Sequence, residues 1–363
     1  MLDLERVIAD ALAICSAPSP TGSEQARAAL ITARLAATPG VFPEGDAHGN
    51  VLAPIKGTRG GGPPVVVAAH LDTVFGAEVT PRPARSGNRL VGPGIGDNSL
   101  ALAALLALAA DLRTAPPEGD VLLVATVGEE GLGNLRGIRG LLADRSARFV
   151  VALEGHGVDD LVTGAVGSTR LEVGCETPGG HSWHNRSAPS AVHELARAVS
   201  GLAYGLPPAV PGIAVNIGTF SGGTGINVIA SRSVFQLDLR AVDAAVLDRG
   251  EATARAMIAA SLAGDGVSFS IRELGRRPAG ALGNDHPAIG LAQAARAAAG
   301  LGPAALVDGS TDANAAFERG LPGLTIGLTR GGNVHREDEF IEVAPIGAGV
   351  IAALGLIRSL ARG

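Results

Sequence analysis

The chain has 363 residues, 46% hydrophobic and 18% charged, the proportions of a folded protein, and its length favours one large domain with a smaller one. A formal charge of −6 without a basic run argues against nucleic acid or an anionic membrane as partner, and two cysteines, Cys15 and Cys175, are too few for a disulfide framework. Aromatics make up only 3%, so the core must be built from Ala, Val, Leu and Ile. The first element, MLDLERVIADALAIC, is predicted as an amphipathic helix with acidic residues early. It lacks a basic stretch followed by an apolar core, so no signal peptide is expected and a cytoplasmic location follows by default. PVVVAA at 64–69 is near-continuously apolar, as a buried strand of a mostly parallel sheet is. Residues 99–112 form an Ala/Leu-rich helix, apolar nearly all round and hence interior. Its longest apolar run, 100–110, falls short of the roughly 20 residues that a bilayer requires, so no membrane is expected. VLLVATV at 121–127 and FVVAL at 149–153 are further buried strands.

From about 169 the pattern changes. Strands are predicted at 170–176, 215–220, 233–240 and 267–273, with helices at 188–202 and 244–262. This β-α-β-β-α-β order matches the ferredoxin-like plan. Glycine-rich joints at 164–167 and 279–283 read as hinges. LTIGL at 324–328 then returns to the first sheet, and 345–360 is a closing helix. The expected architecture is an α/β sandwich, a mostly parallel sheet between helices, with an inserted α+β domain. The boundaries are 1–168 and 279–363 for the two parts of the larger, catalytic and metal-binding domain, and 169–278 for the insertion.

Polar residues interrupt this apolar sequence just after predicted strands. His70 and Asp72 follow PVVVAA, Glu129 and Glu130 follow VLLVATV, Glu154 follows FVVAL, and the loop with His335 follows LTIGL. In open α/β sheets ligands bind beyond the carboxyl ends of the strands. Asp97 joins them from the loop GPGIGDNS. Imidazole with carboxylate suits zinc, with manganese or cobalt as substitutes. Two His and three carboxylates (His70, Asp97, Glu130, Glu154 and His335) exceed what one tetrahedral zinc uses, and suit two divalent metals about 3.5–4 Å apart. In His-x-Asp both side chains share a face, so Asp72 is expected to orient the His70 ring. Glu129, beside a ligand, is expected to take a proton from the attacking water.

These segments resemble the two-zinc exopeptidases and deacylases, among them glutamate carboxypeptidase, succinyl-diaminopimelate desuccinylase, acetylornithine deacetylase and peptidase T. The matching stretches are AAHLDTVF, GPGIGDNS, VGEEGLGNLRG, ALEG, GGHSW, INVIASRSVFQLDLR, DGSTDAN and GGNVHREDEF, in family order across nearly the whole chain. The resemblance implies that Asp97 bridges two metals, one completed by Glu130 and His335 and the other by His70 and Glu154. It implies that Glu129 is the general base and that the insertion is a lid that also joins a homodimer. His181 in GGHSW matches a residue that reaches into the partner subunit's site to polarise the substrate carbonyl. Asn227 and Arg240 match lid positions that bind a substrate carboxylate, for which Arg is the natural anchor; Arg277 is a further cationic candidate. Glu154, where some aminopeptidase members carry Asp, leans towards the carboxypeptidase and deacylase branch. The expected substrate is a small peptide or N-acyl amino acid, cleaved at the amide beside a carboxylate-bearing residue.

Each residue alone has an ordinary alternative. Glu129 and Glu130 could be acids opening a helix, and Asp97 a helix cap. His181 could be a surface residue of a Gly-rich loop, and Arg240 a strand-end charge. His48, His156, His184, His193 and His286 are read as bystanders, with His156 nearest to a supporting role because it follows Glu154 by two residues. Cys15 and Cys175 are read as small buried residues, and Gly92, Gly94 and Gly96 as no phosphate cradle. Two rival functions remain: an inactive relative retained for binding, and a one-domain zinc aminopeptidase without a lid. Glu129 and the full ligand set speak against the first, and the insertion with GGHSW against the second.

Overall fold

A strand covered on both faces must be apolar at every position, and the valine-rich runs form the middle of the sheet for that reason. The computed structural model describes residues 2–362. It divides the chain into a large unit, Met1–Ala165 with Ala281–Gly363, and a small unit, Val166–Gly280. The main elements of the first half are α1 (Leu4–Cys15), α2 (Gln25–Ala36), β1 (Val51–Ile55), β2 (Val65–His70), α3 (Ala101–Thr114), β3 (Val121–Thr126), α4 (Arg136–Asp144), β4 (Phe149–Glu154) and β5 (Asp160–Ala165). They are followed by β6 (Gly167–Glu176), α5 (Ala191–Ala209), β7 (Ala214–Gly222), β8 (Arg232–Ala241), α6 (Ala244–Ser261) and β9 (Ser268–Arg277). The chain closes with α7 (Pro287–Ala298), β10 (Ala305–Gly309), β11 (Gly323–Gly327) and α8 (Ile346–Leu360).

In the large unit the strands run β1-β3-β2-β4-β11-β5-β10. The central four, β3, β2, β4 and β11, are parallel. β1 is antiparallel at one side, and β5 runs antiparallel to β11. Every residue of β2 and β3 is buried, which explains runs without alternation. β1, β5 and β10 are not expected from the sequence, because they are short or lack a continuous apolar run. The apolar helix is interior, as expected: the stretch Ile95–Thr114 is long and apolar enough to cross a membrane, but non-helical backbone at Asp97 and Asn98 breaks it and most of it is buried inside the protein, as the core helix of a fold is.

The small unit is a four-stranded antiparallel sheet in the order β7-β8-β6-β9, the strand order of a ferredoxin-like unit. α5 and α6 pack on one face through Ala191, Leu195, Ala198, Leu202 and Leu206, spaced by the helical repeat, and through Leu247, Ala254 and Ile258. α5 runs past the expected end at 202 to Ala209, with Pro207 and Pro208 in its last turn. The glycine-rich stretch 164–167, expected as a hinge, is extended strand on either side of Val166.

Candidate metal centre

Because the central strands are parallel, their carboxyl ends share one edge. β2 ends on His70 and β4 on Glu154, while Glu129 and Glu130 follow the end of β3. Asp97 comes from the turn before α3, and His335 from the loop after β11 with φ of 66°, a left-handed conformation that non-glycine residues rarely adopt. The sheet brings together all five residues predicted as ligands. Asp97 Oδ1 lies 2.9 Å from His70 Nε2, and Asp97 Oδ2 lies 3.1 Å from His335 Nε2. Glu154 Oε2 stands 3.8 Å from His70 Nε2, and Glu130 Oε1 stands 3.4 Å from His335 Nε2. One carboxylate is thus shared between two imidazole–carboxylate groups, His70–Asp97–Glu154 and Asp97–Glu130–His335. Ligand atoms of His70, Glu129 and Glu130 also lie within 4.8 Å of one another, so Glu129 borders the same cluster.

The electrostatics follow from this crowding. Burial alone pushes the His70 imidazolium down, yet Asp72, Asp97 and Glu154 outweigh it and hold His70 well above the imidazole range. Hydrogen bonds to Asp97 and Glu130 raise His335 to about 10. Burial acts to raise Asp97, but His335 and His70 on its two oxygens hold it well below the carboxylate range. Burial drives Glu154 well above that range, against the pull of His70 and with the push of Asp97, Glu129 and Asp312. The site therefore gathers positive charge, as protons in the bare protein and equally as divalent cations competing for the same lone pairs. Imidazole nitrogens and carboxylate oxygens are a donor set for zinc-type cations, and the shared Asp97 fits two of them.

Asp72 does more than face the His70 ring. The His70 Nδ1 lies 2.9 Å from the Asp72 main-chain oxygen and 3.6 Å from its carboxylate Oδ1. The carboxylate instead accepts the Glu129 N–H on Oδ1 and the Glu130 N–H on Oδ2, both at 2.9 Å, and the Thr21 hydroxyl at 2.9 Å. Burial would raise Asp72, but His70 and these two amides bring it down to about 2. Asp72 thus holds the backbone that presents the two glutamates, and the ring is oriented chiefly by a carbonyl, because β2 ends at His70 and the chain turns before Asp72. Fully buried Arg27 donates to Leu71 O and Ala17 O and braces this turn.

The turn carrying Asp97 is held from elsewhere. Glu339 is fully buried and accepts the N–H of Gly94, Gly96 and Asp97 at 2.7, 3.0 and 2.9 Å. His156 Nε2 stands 2.6 Å from Glu339 Oε1, so this histidine supports the site from behind. Asn98 donates to Leu153 O at 2.9 Å and accepts the Gly155 N–H at 3.2 Å, tying the turn to the end of β4. Gly96 is a glycine because a Cβ there would collide with the His156 ring and the Glu339 carboxylate. Gly96→Ala is expected to lower the melting temperature and metal content together, checked by calorimetry and elemental analysis. Glu339 escaped sequence reading because it closes the charged run 336–339, whose other members are exposed. Cys15 donates to Pro93 O at 3.3 Å, and burial pushes its thiol up to about 12, which removes it from chemistry at neutral pH. His48 pairs with Asp144 and His286 caps α7, each with a structural partner of its own.

His181, Asn227, Arg240 and Arg277 belong to the small unit. His181 lies on a two-stranded ribbon in which it pairs with Val228, and Asn227, in the turn just before that strand, accepts the Ser182 N–H on its main-chain oxygen. Sequence reading did not foresee this adjacency, which joins residues over forty positions apart. The exposed His181 ring accepts the Trp183 N–H on Nδ1 at 3.2 Å, which in the neutral ring leaves the proton on Nε2. Arg240 Nε donates to Asp238 at 2.9 Å, and Arg277 is only 5% exposed.

Fold and site together define an α/β protein with an acid–imidazole cluster of two-cation type at the carboxyl edge of its sheet. Residues 66–359 match the profile of Peptidase family M20/M25/M40, and the chain belongs to that family. It is 30% identical over 240 residues to a probable carboxypeptidase of Aspergillus clavatus, which covers 59% of this chain and about half, 51%, of that relative. Its fold is that of a tripeptidase from Staphylococcus aureus subsp. aureus Mu50, with a TM-score of 0.85 at 20% identity over 100% of both chains. The YxeP protein of Bacillus subtilis, a dinuclear metal binding peptidase from the M20 family, aligns with a TM-score of 0.71 at 16% identity, over 99% of this chain and 98% of the other.

Proposed function

We propose that this protein is a metal-dependent amidohydrolase, an exopeptidase or N-acyl-amino-acid deacylase that uses two divalent cations. The observation that carries the reading is Asp97, with one carboxylate oxygen towards each imidazole and a further carboxylate on either side. Family membership supports it, as do the descriptions of relatives as a carboxypeptidase, a tripeptidase and a dinuclear metal binding peptidase. His70, Glu154 and Asp97 would hold one ion, and Asp97, Glu130 and His335 the other, zinc by donor type, with cobalt or manganese as substitutes. When bound, the ions polarise the scissile carbonyl and acidify the attacking water.

The chain's own residues carry the remaining work. Glu129 takes a proton from that water as the new C–O bond forms, and passes it to the amine nitrogen as the C–N bond breaks. Asp72, on the Glu129 and Glu130 amides, keeps the base beside the ligands without itself reacting. Glu129 and Glu130 are themselves buried, which strengthens both roles. His181 donates Nε2–H to the developing oxyanion, and its tautomer supports that role. Arg240, with Asn227 and Arg277, binds the substrate carboxylate. The small unit acts as a lid and joins two copies of the chain.

The test is metal removal. Purified protein should hold up to two divalent ions per chain, lose activity on chelation and regain it on adding zinc, cobalt or manganese. Each ion supplied at about 100 times its dissociation constant should stabilise the fold by about 2.7 kcal/mol. Full hydrolysis of dipeptides, tripeptides and N-acyl amino acids by rigorously metal-free protein would overturn the reading.

A further inference from the structure

Asp97 has the most demanding placement in the cluster, yet it stands on a turn, where its direction is set by whatever holds the backbone. That backbone is gripped on two sides. Asn98, the next residue, bonds to Leu153 O and Gly155 N beside the strand end that bears Glu154. On the other side Glu339 accepts three consecutive-turn amides, Gly94, Gly96 and Asp97, with its Oε1 also against His156. A buried carboxylate is tolerated only when its lone pairs are used, and here three N–H groups and an imidazole use them. An apolar residue could fill the same space without such bonds, so filling space does not explain the choice of an acid. Glu339 also lies four residues after His335, so one segment brings both a ligand of one group and the grip on the carboxylate shared by both.

We propose that Glu339, backed by His156, is the positioning residue that sets the Asp97 carboxylate between His70 and His335, and so governs cation affinity in both halves of the cluster together. Other acids act more locally: Glu154 falls only in the group with His70 and Asp97, whereas Glu130 falls in the group with His335 and Asp97 and borders His70 as well. Glu339 touches no ligand atom of either half and acts through the backbone of the residue they share. The inference rests on the two-cation reading above.

The experiment is a titration of metal-free protein with cobalt(II), followed by calorimetry and visible absorption, beside circular dichroism and melting of the metal-free forms. Glu339→Gln keeps the shape but turns one acceptor into an N–H₂ group facing backbone N–H donors. Both binding steps should weaken by about 10–100-fold, the effect typical of removing an outer partner of a metal ligand, and the cobalt spectrum should change. Glu154→Gln should weaken one step and spare the other. Wild-type affinity in folded Glu339→Gln, or a loss confined to one step, would overturn the positioning role. Should Glu339→Gln fail to fold, Glu339→Asp, which keeps the charge but draws the carboxylate back from the three amides, decides the matter. Weakening of both steps by about tenfold supports the proposal, and unchanged binding overturns it. A wild-type protein that takes fewer than two ions defeats the two-cation reading along with this proposal, whereas two ions in the wild type with unchanged variants defeats the positioning role alone.

Discussion

Glu129→Gln should lower kcat by at least about 10²–10⁴-fold, the usual consequence of losing a general base, while the protein still folds and holds its cations. Gln is isosteric, and the Asp72 bonds to this segment come from the backbone amides of Glu129 and Glu130, which the substitution leaves untouched. Glu129 borders the cluster through His70 and Glu130 but belongs to neither group that shares Asp97. Glu130→Gln is the contrast. Its Oε1 stands 3.4 Å from His335 Nε2 within one of those groups, so its loss should reduce metal occupancy itself, with activity falling in proportion. Elemental analysis and steady-state kinetics on both variants separate the two roles. If Glu129→Gln loses metal as Glu130→Gln does, Glu129 is a ligand; if both lose little activity, neither role stands.

Mixing two inactive variants should restore activity. His181 lies in the small unit, exposed on a ribbon beside Asn227, with its Nδ1 accepting the Trp183 N–H so that Nε2 is left to donate. A site at a sheet edge needs a donor for the developing oxyanion and a cover against water, and in the proposed homodimer a partner subunit would supply both across a two-fold interface in which each copy uses the same patch. On this proposal His181→Ala and Glu129→Gln are each nearly inactive as homodimers. A heterodimer of the two has one site with both residues intact. After exchange of subunits, about half of the wild-type activity per heterodimer is expected, because one of its two sites works. Heterodimers that form, as native mass spectrometry would reveal, but hydrolyse nothing would show that His181 serves its own chain or has no part in the reaction.

Legibility in the sequence followed the contrast between neighbours. His70, Glu129, Glu130 and Glu154 stood out because each ends or follows an apolar run, where a polar side chain has no packing role. The helix at 99–112 was readable from its Ala/Leu-rich, almost wholly apolar composition, since residue content is a local property. Short strands such as β1 and β10 were not, because their pairing depends on neighbours that fold against them from elsewhere in the chain. The joint expected at 164–167 coincides with the boundary between the two units at Ala165 and Val166, although the backbone on either side is strand and not loop.

By itself the sequence determined the α/β class, the ferredoxin-like order of the insertion and the identity of the acids and histidines that gather at the sheet edge. Those depend on residue type and order, which the chain carries in one dimension. Only the tertiary structure decided how these residues are held. The carboxylate of Asp72 turned out to bind the Glu129 and Glu130 amides, and the Asp97 turn proved to hang on Glu339 and His156. Such bonds join side chains to backbone N–H groups of distant segments, and a backbone N–H looks the same at every position of a sequence. Its direction exists only once the chain has folded.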